Sequence, residues 1–98
     1  MELVEVSNDT EVKLKKPNKY AVIILNDNYT PFEFVIDVLV RFFNKTADEA
    51  MKIAKSAHEN GSAVVDVYPK EIAVTKSENA NLYASHNKHP LKTIVKPV

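Results

Sequence analysis

The feature that most constrains the fold is the position of two helix-start signals and a single glycine. The sequences "TPFE" at Thr30 and "TADE" at Thr46 are Thr-x-x-Glu boxes, in which the threonine caps a helix and the glutamate reaches back. Pro31 would occupy the first helical position, which favours proline. Gly61 is the only glycine among 98 residues and stands where a helix needs a left-handed residue to end. The sequence therefore predicts two consecutive helices, the first ending at about Asn44.

The segments around these helices predict strands. Tyr20–Leu25 is a continuous apolar run bounded by turn formers, which is typical of a buried strand. "SAVVDVY" after Gly61 predicts a second strand, and "LKTIVKP" alternates with a period of two and predicts a third. Between them, Pro69 can open a third helix that ends near Asn87. The predicted fold class is α+β, a small layered domain of order β-α-α-β-α-β with a three-stranded antiparallel sheet and three helices.

The length of the chain corresponds to one domain. Residues 1–17 are polar and mixed in charge, so we expect a flexible N-terminal tail there and a core domain over residues 18–98. Weakly alternating valines leave a loose edge strand as the alternative for this tail.

Composition and charge argue against several classes of function. Thirteen basic and thirteen acidic residues cancel, which disfavours nucleic acid as a partner. The chain has no cysteine, which removes disulfides, thiolate catalysis and cysteine zinc sites and suits a reducing compartment. Neither a signal sequence nor an apolar run of roughly 20 residues is evident. We therefore expect a cytoplasmic protein with no membrane partner.

Polar side chains follow the first predicted strand directly. Asn26, Asp27 and Asn28 stand where the strand yields to a helix, which suits a chain reversal or a binding site. His58 shares a helix face with Ala54, so a helical hairpin can bring it to this turn. From spacing alone, a capping turn and a half-exposed histidine are the simpler interpretation.

The residues give little support to catalysis. Asp27 and His58 can form an acid–base pair with Ser56 or Ser62, but nothing marks either serine as activated. The histidines of "HNKH" lack metal-ligand spacing, and one glycine cannot build a phosphate loop. We expect no enzyme activity, no metal and no cofactor.

Three segments taken together resemble the ClpS adaptor family. They are "YAVIILNDNYTPFEFVIDVLVRFF", "AHENGSAVVDVYPKEIAVTK" and "YASHNKHPL", and the similarity runs from about Tyr20 to Val95. The resemblance implies a bacterial adaptor that binds proteins beginning with Leu, Phe, Tyr or Trp. Such an adaptor delivers them to a ClpA-like or ClpC-like unfoldase for degradation by ClpP. We expect it to act as a monomer.

The resemblance also implies the site residues. The acceptors for the α-amine of the substrate are expected to be Asn26, Asp27, Asn28 and His58. The residues implied for an apolar pocket are Leu25, Thr30, Phe32, Val35, Ala54, Ala57 and Leu91. The unfoldase is expected to contact the third helix at Glu71, Thr75 and Lys76.

Several positions depart from the usual family pattern. Asn28 replaces a second aspartate, which removes one negative charge near the amine. Phe32 replaces a methionine at the pocket mouth, and Ala54 and Ala57 replace bulkier residues in its interior. Val74 stands where an acid is usual on the third helix. The preference among the bulky first residues stays open.

Two other functions compete with the adaptor. The C-terminal domain of the ribosomal stalk protein has a similar fold, so a non-catalytic interaction domain of that type is the first alternative. It would not need Asn26, Asp27 and His58 together. A hydrolase is the second alternative, and turnover by the isolated chain would identify it.

Overall fold

The architecture is described by a computed structural model over residues 19–98. The tail predicted for residues 1–17 lies outside the described residues. The elements are β1 Lys19–Leu25, α1 Phe32–Phe43, α2 Ala47–Asn60, β2 Ser62–Pro69, α3 Lys70–His86 and β3 Lys92–Pro97. This confirms the predicted order β-α-α-β-α-β.

The three strands form one antiparallel sheet of order β2-β1-β3. β1 is therefore the central strand, which fits its continuous apolar sequence. Val22 and Ile24 alternate on its inner face and are 0% and 1% exposed. The helices pack on that face, and small alanines on α2 and α3 join the core. No helix in residues 19–98 has the length and apolar character needed to cross a membrane.

The predicted start and end of α2 are both confirmed. The Glu49 N–H donates to the Thr46 hydroxyl at 3.1 Å, and the Thr46 N–H donates to the Glu49 carboxylate at 2.9 Å. Gly61 ends the helix with φ 89°, and its N–H donates to the Ala57 carbonyl at 2.8 Å. These contacts satisfy backbone groups that have no partner inside the helix.

The predicted capping box at α1 is wrong. The helix starts at Phe32 with Pro31 in the cap position, and no side chain caps it. The Thr30 hydroxyl instead donates to Asp27 Oδ2 at 2.8 Å. This charge-assisted hydrogen bond orients the hydroxyl towards Asp27, so its oxygen does not accept from the Glu33 N–H as a capping box requires. α1 ends at Asn44 as predicted, with φ 55°.

Candidate functional site

A cavity of about 360 Å³ opens where β1 ends. Four parts of the chain line it: the end of β1 with its following turn, the first turns of α1, the second half of α2, and the loop before β3. The lining residues are Ile24, Leu25, Asn26, Asp27, Asn28, Thr30, Phe32, Val35, Ala54, Ala57, His58 and Leu91. Every residue expected at the amine and every residue expected in the pocket therefore lies on one cavity.

Ile24 is the lining residue that sequence reasoning missed. It alternates with Val22 on the inner face of β1, and that period-two pattern was the available signal. We interpreted the run only as a buried strand. That interpretation does not distinguish residues that line a cavity from residues that pack in the core.

The single glycine joins the two polar parts of the site. The Asn26 N–H donates to the Gly61 carbonyl at 2.9 Å, and Leu25 pairs with Ser62 in the sheet. The end of β1 is thereby fastened to the end of α2. His58 lies in the last turn of α2 and so comes to the same cavity as the turn after β1. The left-handed backbone of Gly61 would strain any residue with a β-carbon.

Asp27 organises this turn. Its Oδ1 accepts from the N–H groups of Tyr29 and Thr30, each at 2.7 Å, and its Oδ2 accepts from the Thr30 hydroxyl. Burial alone raises the pKa of Asp27, but these hydrogen bonds, with a smaller contribution from the nearby His89, outweigh it and lower the pKa below its ordinary value. The carboxylate is therefore ionised at neutral pH.

Asp27 has little free acceptor capacity left. A carboxylate has about four lone-pair sites, and internal donors occupy three of them here. Asp27 thus holds the turn and contributes negative charge, while Asn26, Asn28 and His58 are exposed at the rim. The C-terminal end of α2 adds partial negative charge beside His58.

The floor of the cavity is apolar. Ile24, Ala54, Ala57 and Leu91 are between 1% and 4% exposed. Phe32 is 43% exposed and lies at the mouth. A polar, electronegative rim over an apolar floor suits a ligand that carries a cation next to a bulky apolar group. Burying such a group is worth about 1.5–3 kcal/mol.

The wall near Leu91 is held from outside the cavity. The His89 ring packs against Phe34 with centroids 4.4 Å apart, and the backbone N–H of His89 donates to the Ala84 carbonyl at 2.9 Å. The Thr93 N–H donates to the Asn81 amide oxygen at 2.7 Å, which ties the start of β3 to α3. Sequence reasoning considered His89 only as a metal ligand and missed this supporting role. Among residues 19–98 no cluster suited to a metal ion occurs.

The residues expected to contact an unfoldase lie elsewhere. Glu71, Thr75 and Lys76 line a shallow groove between α1 and α3 that shares no residue with the cavity. Lys76 is half-buried there, and its ammonium donates to the Phe42 carbonyl at 3.2 Å. Glu71 and Thr75 are exposed.

Comparisons with known proteins find relatives over most of the chain. The model of the family described as "ATP-dependent Clp protease adaptor protein ClpS" matches residues 15–94. An "ATP-dependent Clp protease adapter protein ClpS" from Salmonella arizonae is 45% identical over 88% of this chain and 81% of its own length. The protein of the same name from Parvibaculum lavamentivorans is 45% identical over 89% of this chain and 79% of its own.

A solved structure with the same architecture is that of Agrobacterium tumefaciens ClpS2 bound to L-phenylalaninamide. It is 38% identical, has a TM-score of 0.82, and the match covers 85% of this chain and all of that one.

Proposed function

The chain belongs to the ClpS family of Clp protease adaptors, and on that basis we propose that it binds proteins through a bulky apolar first residue and the free α-amino group beside it. The observation that carries this proposal is the single cavity in which a polar rim meets an apolar floor. The ligand of the Agrobacterium tumefaciens structure, a phenylalanine amide, has both chemical features.

The rim suits an ammonium group. An ammonium has three donors and a positive charge. The amide oxygens of Asn26 and Asn28 and a neutral His58 nitrogen are the acceptors in this proposal. Asp27 supplies the negative charge from behind the turn, because its lone pairs are largely used internally.

The apolar floor of the cavity then binds the side chain of the same residue. Leu, Phe, Tyr and Trp are the bulky first residues that fit the proposal. An internal Leu or Phe has a peptide nitrogen instead of an ammonium, so the rim would be left with unpaired acceptors. The requirement for both features makes the site specific for chain ends.

A pair of peptides tests this proposal. We expect a peptide that begins with Phe to bind and its N-acetylated form to lose most of its affinity, measured by fluorescence anisotropy. Acetylation removes the charge and faces Asn26 and Asn28 with an amide. Equal affinity for both forms would rule out amine recognition and favour an interaction domain of the ribosomal stalk type.

We further propose that the bound protein is delivered to a ClpA-like or ClpC-like unfoldase that docks at the groove of Glu71, Thr75 and Lys76. Residues 1–17 are proposed to be engaged by the unfoldase. The adaptor would act as a monomer in the bacterial cytoplasm and would have no catalytic role.

A matched pair of variants on α3 tests the docking groove. Glu71→Ala should slow degradation of a substrate with N-terminal Phe by the unfoldase and ClpP, with no change in peptide affinity. Glu78→Ala is the control, because Glu78 is exposed on the same helix but lies outside this groove. Equal degradation rates for the two variants would place the docking surface elsewhere.

A further inference from the structure

The groove between α1 and α3 is lined by two cations that differ in their surroundings. They are Arg41 on α1 and Lys76 on α3. The Lys76 ammonium donates to the Phe42 carbonyl at 3.2 Å and lies 5.4 Å from the centroid of the Tyr68 ring. The Arg41 side chain, in contrast, is 55% exposed. The groove therefore presents its positive charge to a partner chiefly through Arg41.

Contacts from both helices hold the Arg41 guanidinium in place. Its Nε and Nη2 each lie 3.4 Å from an oxygen of Asp37, one turn earlier on α1. Its central carbon lies 5.1 Å from the centroid of the Tyr83 ring on α3, as is common for guanidinium groups on aromatic faces. The Tyr83 hydroxyl donates to the same Asp37 carboxylate at 3.0 Å. A side chain that is already held loses less rotamer entropy when it binds a partner.

These contacts leave much of the guanidinium available. An arginine has five N–H donors, and the structure pairs two of them, both with Asp37. Those two bonds are longer than the about 2.7–2.9 Å of a strong charge-assisted bond, and Asp37 does not line the groove. Glu71 lines the groove from α3, but no ion pair joins it to Arg41 within residues 19–98. Both charges are therefore free to pair with groups on a partner.

From this arrangement, and resting on the docking groove proposed above, we propose that Arg41 is a further docking residue and binds a carboxylate on the surface of the unfoldase. The planar guanidinium matches the two oxygens of a carboxylate. Arginine is also enriched among the few residues that contribute most of the binding energy at protein interfaces.

Two substitutions at Arg41, each with a matched control, test this proposal. Arg41→Gln removes the charge, and Arg41→Glu reverses it. Lys52→Gln and Lys52→Glu change the net charge equally at an exposed residue of α2, outside both the groove and the cavity. For each variant we would measure its affinity for a Phe peptide. We would also measure the adaptor concentration that gives half-maximal degradation of a substrate with N-terminal Phe by the unfoldase and ClpP.

We expect the half-maximal concentration to rise by about threefold to tenfold in Arg41→Gln. It should rise further in Arg41→Glu, because a glutamate repels the carboxylate of the partner. The Lys52 variants should stay within about twofold of the parent chain. Peptide affinity should be unchanged in all of them, since Arg41 does not line the cavity.

The outcomes distinguish this inference from the proposed function. If Arg41→Gln behaves as the parent chain while Glu71→Ala slows degradation, the inference alone is overturned. If neither substitution has an effect, the proposed docking groove is wrong and the inference with it. Arg41→Glu no weaker than Arg41→Gln would show that the partner group is not a carboxylate. Lys52 variants as weak as the Arg41 variants, or a matching loss of peptide affinity, would also overturn the inference.

Discussion

The two helix starts that carry the same Thr-x-x-Glu box behave differently. At α2 the box forms as its sequence predicts, with Thr46 and Glu49 bonded in both directions. At α1 the threonine turns backwards to Asp27, and the helix begins without a side-chain cap. The box at Thr46 caps its helix, whereas Thr30 contributes its hydroxyl to the candidate site.

The residue three positions before each threonine explains the difference. Asp27 precedes Thr30, whereas Phe43 precedes Thr46 and has nothing to accept a hydrogen bond. The Thr30 N–H also donates to Asp27, so Glu33 has lost the donor to which it would reach back. A Thr-x-x-Glu motif therefore caps a helix only where no stronger acceptor, such as the Asp27 carboxylate, lies close to its threonine.

Removing the carboxylate from each start should give the largest difference. Asp27→Ala frees three donors and removes the negative charge from the proposed amine site. We expect its affinity for a Phe peptide to fall by about tenfold to a hundredfold. Glu49→Ala should lower the free energy of unfolding and leave affinity unchanged. Peptide titration and urea unfolding of both variants measure these effects. Equal peptide affinities of the two variants would show that Asp27 does not contribute to binding.

Removing the threonine hydroxyl at each helix start should give smaller effects, on stability at α2 and on peptide affinity at α1. Thr46→Val loses an N-cap and should lower the free energy of unfolding by about 0.5–2 kcal/mol without changing affinity. Thr30→Val removes no cap from α1, which has no side-chain cap, but it loosens Asp27, so affinity should fall several-fold. The same two measurements apply. A stability loss at Thr30 as large as at Thr46, with affinity intact, would mean that Thr30 serves the helix after all.

Acid should produce the smallest effect. Hydrogen bonds from Thr46 lower the pKa of Glu49, and those from Thr30 and Tyr29 lower the pKa of Asp27 despite the opposing effect of burial. A carboxyl with a lowered pKa stabilises the fold at neutral pH, and this contribution is lost as pH falls through that pKa. Asp27→Asn and Glu49→Gln should each flatten the decline in unfolding free energy below about pH 4.

Replacing the threonine of each box should change the acid dependence of stability in the same way as replacing its carboxyl partner. Thr30→Val is expected to flatten the acid decline as Asp27→Asn does, and Thr46→Val as Glu49→Gln does. Urea unfolding across the acid range measures it. An acid decline as steep in the four variants as in the parent chain would show that these hydrogen bonds do not perturb the two carboxyls.

Much of the fold followed from local patterns because those patterns act within a few residues. The run Tyr20–Leu25, the box at Thr46 and the turn at Gly61 each specify an element boundary with nearby atoms alone. The site residues came from the resemblance to a family, since spacing alone favoured a turn and an isolated histidine. In the structure His58 lines the same cavity as Asn26, and this arrangement is supported by a hydrogen bond from Asn26 to Gly61, 35 positions away.

The sequence by itself determined the order of the elements, the ends of α2 and the family to which the chain is similar. Only the tertiary structure decided that Ile24 lines the cavity and that the Lys76 ammonium donates to the Phe42 carbonyl, 34 positions away. The physical reason is competition between partners. A hydrogen-bonding group or an apolar side chain takes the best neighbour available, and only the packed chain establishes which neighbours those are.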